Sequence, residues 1–203
     1  FTVLSNPGSD YVGGEDFFGE GSSLVREFDL DDIAVLAPGP QPAPTLHIPK
    51  SLLTALDTFM IAATYKRKHH VDQNCAFLCH VSTRTDDHKH IVNLLRKYQI
   101  DLSSGVKSRN AALIKRLRAA YDDLAATHPG LKESSFDGLV EAIEFFSPGI
   151  TVKLVNGETD EDVAVKSPYN LFVGGNKLGR GVTIKNLLVS YYGRNPRRPQ
   201  ADT

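Results

Sequence analysis

The chain has 203 residues, 41% hydrophobic and 23% charged, with a formal net charge of −1. That is ordinary for a soluble globular protein of one large domain, or one domain with an annex, and nothing global advertises nucleic acid. No run of 18 apolar residues occurs, so neither a transmembrane helix nor a membrane partner is expected.

The charge is unevenly spread. Asp10, Glu15, Asp16, Glu20, Glu27, Asp29, Asp31 and Asp32 crowd one stretch against Arg26 alone, while Arg194, Arg197 and Arg198 crowd the end. A basic edge suits phosphates, although a charge run is usually a solvated face. Cys75 and Cys79 would lie about 13 Å apart along a strand, too far to bridge. Two buried thiols point to a reducing, cytoplasmic compartment. Because the chain opens at Phe1 and stops after a basic loop, a fragment is expected.

Residues 1 to 23 read as irregular, with turns at Asn6-Pro7-Gly8-Ser9 and Gly13-Gly14 and with Tyr11, Phe17 and Phe18 pinning the segment to a neighbour. Residues 34 to 49 hold five prolines and read as an extended connector. Residues 1–47 are thus an irregular arm and proline-rich connector, and 48–203 the folded lobe. Ile48-Pro49 opens a helix of about twenty residues, with Leu52, Leu53, Leu56, Phe59, Met60 and Ala63 on one face. Lys66, Arg67, Lys68, His69 and His70 close it, where cations complement the helix dipole; a nucleic-acid contact is the other reading of that basic run.

Cys75 to Ser82 reads as a strand, and Thr83-Arg84-Thr85 turns into a helix over Asp86 to Tyr98, with Thr85 as N-cap and Asp86 and Asp87 in the first turn. In Asp87-His88-Lys89-His90 the two histidines are two apart and share no helical face, so no metal is predicted. Helices follow over Ser108 to Thr127 and Ser135 to Phe146, each closed by a Pro-Gly stop. Then come a strand over Ile150 to Val155, a turn at Asn156-Gly157 and an acidic loop from Glu158 to Asp162. The strands Asn170 to Val173 and Leu187 to Tyr191 are apolar runs of the type buried on both faces of a parallel sheet. Between them lie glycines 174, 175, 179 and 181, with Lys177 and Arg180. A strand end with exposed amides and two cations suits a phosphate-bearing ligand, and the alternation of elements argues an α/β domain with a mainly parallel sheet.

Ala76-Phe77-Leu78-Cys79-His80-Val81-Ser82-Thr83-Arg84, followed by a helix ending Leu94-Leu95-Arg96-Lys97-Tyr98-Gln99-Ile100, resembles motif IV at the opening of the second RecA-like lobe of superfamily-two helicases. Leu171 to Ile184 resembles their motif V, with Arg180-Gly181 matching its Arg-Gly pair. More narrowly, Tyr11 to Phe18, Ile48-Pro49-Lys50-Ser51-Leu52, the His80-Val81-Ser82 strand end and Gly174-Gly175-Asn176-Lys177-Leu178-Gly179-Arg180-Gly181 resemble the Z-one domain family. Its members look like helicase-type ATPases tied to restriction-modification systems, and their endonuclease label is itself a prediction.

The resemblance implies a three-layer RecA-like (P-loop NTPase-type) domain forming lobe two, truncated before motif VI. It implies DNA as partner, ATP with Mg2+ in the full-length protein, and an N-terminal ATPase lobe of the same protein carrying the Walker sequence. No G-x-x-x-x-G-K-[ST] occurs here, so the fragment alone should bind no nucleotide and hydrolyse none. By the same resemblance Arg180 couples lobe closure to nucleotide, and Gly174, Gly175, Asn176, Lys177, Gly181 and Thr183 bind it. His80, Ser82, Thr83 and Arg84 meet DNA. Motif V usually has threonine where Gly175 stands and aspartate where Thr183 stands, which leaves backbone amides of Gly174 to Lys177 to replace those contacts. The plainer readings are a core histidine for His80, helix capping for Ser82 and Thr83, and an ion pair with the acidic arm for Arg180. A metal-dependent endonuclease would draw on Glu158, Asp160, Glu161, Asp162 and Lys166, which lack a carboxylate-x-lysine pairing. A non-catalytic interaction module would use the acidic arm and proline connector.

Overall fold

A computed structural model describes residues 14–39, 46–155, 163–174 and 184–193. Its helices are α1 (Gly14–Phe18), α2 (Leu30–Leu36), α3 (Lys50–His69), α4 (Thr85–Lys107), α5 (Ala111–Thr127) and α6 (Phe136–Phe146). The strands are β1 (Cys75–His80), β2 (Ile150–Val155), β3 (Tyr169–Gly174) and β4 (Leu187–Tyr192), in the sheet order β2-β3-β1-β4 with every pairing parallel. The expectation of an α/β domain with a parallel sheet holds.

The pleat sorts the two faces. Cys75, Phe77 and Cys79 of β1 and Tyr169, Leu171 and Val173 of β3 join the large core with the buried side chains of α2 to α6. Phe59 meets Phe77 at 5.7 Å and Tyr169 at 6.3 Å between ring centres, contacts worth about 0.5–1.5 kcal/mol each beyond area burial. On the opposite face Ala76, Leu78 and Phe172 pack with Val163, Val165 and Ile184. That cover is an extended strap. Asn74 Nδ2 donates to Val165 O at 3.0 Å, Lys153 Nζ to Ala164 O at 3.3 Å, and Asn170 Oδ1 accepts from Ser167 N at 3.2 Å. Among the described residues, the second covering layer of the sheet is therefore strap rather than helix.

Several boundaries differ from expectation. α1 and α2 stand where irregular chain and connector were expected. Asp29 caps α2 by accepting from Asp31 N, with Asp31 and Asp32 in the first turn, and the prolines begin only beyond Leu36. Phe17 and Phe18 are exposed rather than packed into the core; Tyr11 lies outside the described residues. α4 runs nine residues past Tyr98. The Ser-Ser-Gly stretch looked like a stop, but the hydroxyls of Ser104 and Ser108 bond back to Ile100 O and Ser104 O, both at 2.9 Å, while Leu102 and Val106 continue the apolar register. Gly105 lets α5 approach, since a Cβ there would collide with Leu113. At the other end Thr85 is the first helical residue and Arg84 holds the cap position without a side-chain bond. α5 starts later than expected because Asn110 is its cap, accepting from Leu113 N at 3.0 Å.

β1 and β3 are buried throughout, as their apolar runs predicted, but β4 is an edge strand with Leu187, Ser190 and Tyr192 exposed. Cys75 and Cys79 are buried free thiols on the core face, and burial pushes Cys79 up to about 12. Behind them, Asp57 of α3 accepts from Tyr98 Oη at 2.9 Å and Arg116 Nε at 2.8 Å, tying α3, α4 and α5 together. Among the described residues, no helix is long and apolar enough to cross a membrane.

Candidate functional site at the strand ends

In a parallel sheet every strand ends on one edge, the usual place for ligands in open α/β sheets. Here His80 locks that edge. Its Nδ1 lies 2.7 Å from Gly174 O, at the end of β3. A carbonyl only accepts, so Nδ1 carries the proton. Gly193 N, just past β4, donates to His80 O at 3.1 Å, and the Tyr192 ring sits 5.2 Å away. His80 is 2% exposed. It clamps three strand ends from behind the surface, which is the core-histidine reading.

The segment leaving β1 is built around Asp87. Ser82 Oγ donates to Asp87 Oδ2 at 2.6 Å and accepts from Arg84 N at 3.1 Å; His88 Nε2 donates to Ser82 O at 2.7 Å. Asp87 Oδ1 accepts from Gly39 N at 3.2 Å. Buried as it is, the carboxylate has its negative charge shared among N–H and O–H donors, with the Arg84 guanidinium 3.9 Å away. Ser82 is thus spent inside a network, close to the capping reading. Thr83 and Arg84 are exposed. Of the four residues expected to meet DNA, these two present free surface. An anion approaching the start of α4 also meets exposed Asp86, which opposes it and shifts the burden of attraction to the Arg84 guanidinium.

Residues 28–39 buttress this loop. Phe28 stacks on Tyr191 at 4.5 Å between ring centres, Asp32 Oδ2 accepts from Ser51 N at 3.1 Å, and His90 Nε2 donates to Val35 O at 3.2 Å. A Cβ on Gly193 would meet the tip of the Ile33 side chain of α2, so α2 packs closely over this strand end. The two histidines of the Asp-His-Lys-His cluster are each committed to a carbonyl. Among the described residues, no group of three or more His, Cys, Asp or Glu could hold a metal ion.

Gly174 is buried at the end of β3 with its carbonyl held by His80. Gly175, Asn176, Lys177, Arg180, Gly181 and Thr183 lie outside the described residues, as do Glu158, Asp160, Glu161 and Asp162. Lys166 is exposed on the strap.

The family model of the Z1 domain matches residues 51–203. The chain belongs to the Z1 domain family. No curated protein and no solved structure matches it. The match takes in β1, β3 and both segments leaving them, but not residues 28–39 that brace the first. Asp87 was legible only as a first-turn acid of its helix; its role as hub of the loop depends on Gly39, a contact 48 residues away in sequence that no local signal announces. In the Z1 domain the strap was hidden in the same way, although an asparagine inside an apolar strand, Asn170, was a usable sign of it.

Proposed function

We propose that this Z1 domain is the second motor lobe of a DNA-dependent ATPase belonging to a DNA restriction or defence system. One observation carries the reading: the two segments that resemble helicase motifs IV and V leave adjacent parallel strands at the same edge, joined by the His80–Gly174 bond. In a motor of this kind one edge must sense both nucleotide and DNA, so that closure of the lobes is felt by both.

The division of labour follows from exposure. Thr83 and Arg84 contact a DNA phosphate, which fixes register without reading sequence, and Ser82, Asp87 and His80 hold their backbone in place. The glycine-rich segment after Gly174 offers backbone amides to a nucleotide, and Arg180 enters the cleft as the lobes close. ATP with Mg2+ supplies the phosphoryl group and its counter-charge. Gripping its phosphates falls to another lobe, since this chain has no Walker sequence. A cation positioned on transferring phosphate is worth about 10³–10⁵ in turnover in related chemistry.

The test is ATP hydrolysis by the full-length protein with and without DNA, beside Arg180→Ala and Arg84→Ala. DNA stimulation lost in Arg180→Ala, with DNA affinity reduced in Arg84→Ala, is the expected result. Turnover unchanged in Arg180→Ala sinks the motor reading. Metal-dependent cleavage of DNA by the full-length protein without ATP would favour the endonuclease instead. A non-catalytic interaction module is weakened by residues 28–39, which that reading would use and which pack against the chain's own α3, α4 and β4.

A further inference from the structure

The basic run that closes α3 is left over by the strand-end reading, and the structure divides it. Arg67 turns inward, donating to Gln73 O and Asn74 Oδ1 at 3.1 and 3.2 Å with its guanidinium 5.1 Å from the Phe146 ring centre. Its role is to cap the chain turn. Lys66, His69 and His70 instead line an open cleft of about 640 Å³, shared with Tyr65, with His128 beyond α5, and with an apolar floor that includes Leu131 and Leu188. Leu188 is the second residue of β4, and α3 leads into the first residue of β1. The cleft therefore lies at the starts of the strands, on the edge opposite His80 and Arg84.

Three of its four rings pack against one another. Tyr65 is 4.5 Å from His69 and 5.5 Å from His128 between ring centres, tilted by 56° and 74°. The histidines are exposed while Tyr65 is half-buried behind them. Lys66 Nζ reaches Asn186 Oδ1 at 3.3 Å, using one of its three N–H donors. No carboxylate lines the cleft among the described residues. π-Faces on an apolar floor, with a lysine and imidazoles at the rim and no acid to repel phosphate, are what unpaired nucleotides require: a base stacks while its phosphate meets a cation. A duplex hides its base faces and an acidic peptide has none to offer.

We propose that this cleft binds a nucleotide unit of single-stranded nucleic acid, as a second contact independent of the strand-end site. The experiment measures anisotropy of a labelled oligothymidylate with the full chain, against His69→Ala, His128→Ala and Lys66→Gln. Both histidines are exposed, so unchanged melting temperatures are expected to certify the fold. Loss of one stacking ring should weaken binding about 5- to 100-fold, and Lys66→Gln should flatten the slope of log affinity against log salt by about 0.7. Arg84→Ala reports the other edge alone, so failure there and failure here are separable. Affinity and salt slope unchanged in all three cleft variants overturn the proposal. So does a result in which thymidine monophosphate shifts the His69 and His128 ring protons in NMR spectra while the oligomer leaves them unmoved, because the ligand is then a free nucleotide.

Discussion

Replacing Asp87 with alanine tests whether the segment leaving β1 is held by one buried carboxylate. The change removes two charge-assisted hydrogen bonds, from Ser82 Oγ and Gly39 N, each worth about 1.5–3 kcal/mol. Ser82 Oγ–H can turn to another acceptor, whereas Gly39 N–H is fixed by the backbone, so the combined loss should be about 3 kcal/mol. For a chain of this size that is a drop of about 6–12 °C in melting temperature. Asp87→Asn keeps one acceptor and should cost about half as much. The decisive assay is a double-mutant cycle of Ser82→Ala with Asp87→Asn, followed by chemical unfolding. Residues in one network should show a coupling of about 0.5–3 kcal/mol. Additive effects, with Asp87→Ala no worse than a surface change, would refute the hub.

Two further experiments probe the core and the helices packed over it. Arg116→Met strips the partner from Asp57, whose carboxyl is raised above its ordinary 3.8 by burial and only partly brought back by Arg116 and Tyr98. Breaking such a pair costs about 3–5 kcal/mol, at the low end here because Arg116 is partly solvated. A raised carboxyl binds its proton more tightly folded than unfolded, so its contribution is present below 3.8 and lost as pH rises through the folded value. The Arg116→Met penalty should therefore shrink in urea titrations at acidic pH, and a pH-independent penalty would contradict the buried charge. Cys79, pushed up to about 12 by burial, should resist alkylation in the folded protein at pH near 8 and label only with unfolding, since the thiolate is the nucleophile. Labelling at the rate of a free thiol would place it elsewhere.

What the sequence made legible is what periodicity and composition record. Alternate burial on both faces makes β1 and β3 continuous apolar runs, and helical spacing marks α3, α5 and α6. The cap at Asn110 and the long α4 were misread because serine, asparagine and glycine carry opposite meanings at helix ends and in helix interiors, and only the back-bonded hydroxyls of Ser104 and Ser108 decide which applies. β4 was misread because its apolar content says nothing of its rank in the sheet. At the site, the strand ends were placed by pattern alone. Which residues are spent and which are free was not, since it turns on Gly39, Val35 and Ile33 from a segment that read as irregular arm and connector.

That segment lies outside the Z1 match, yet it carries a consequence for how the edge works. Within three consecutive positions the chain passes from Ser82, whose hydroxyl is fully engaged, to Thr83 and Arg84, which are exposed. Under the proposed motor reading, backbone position and phosphate contact thereby fall to different residues. Removing the Arg84 side chain gives up one long ion pair to Asp87 and should cost within about 0.5 kcal/mol of stability, as surface changes do. Removing Asp87 should cost several times that without touching any ligand directly. Under that same reading, such an edge can change its phosphate affinity without touching the fold. A change in how residues 28–39 sit would in turn reach the exposed pair through Gly39 and Asp87, giving a segment outside the family match leverage over the contact surface inside it.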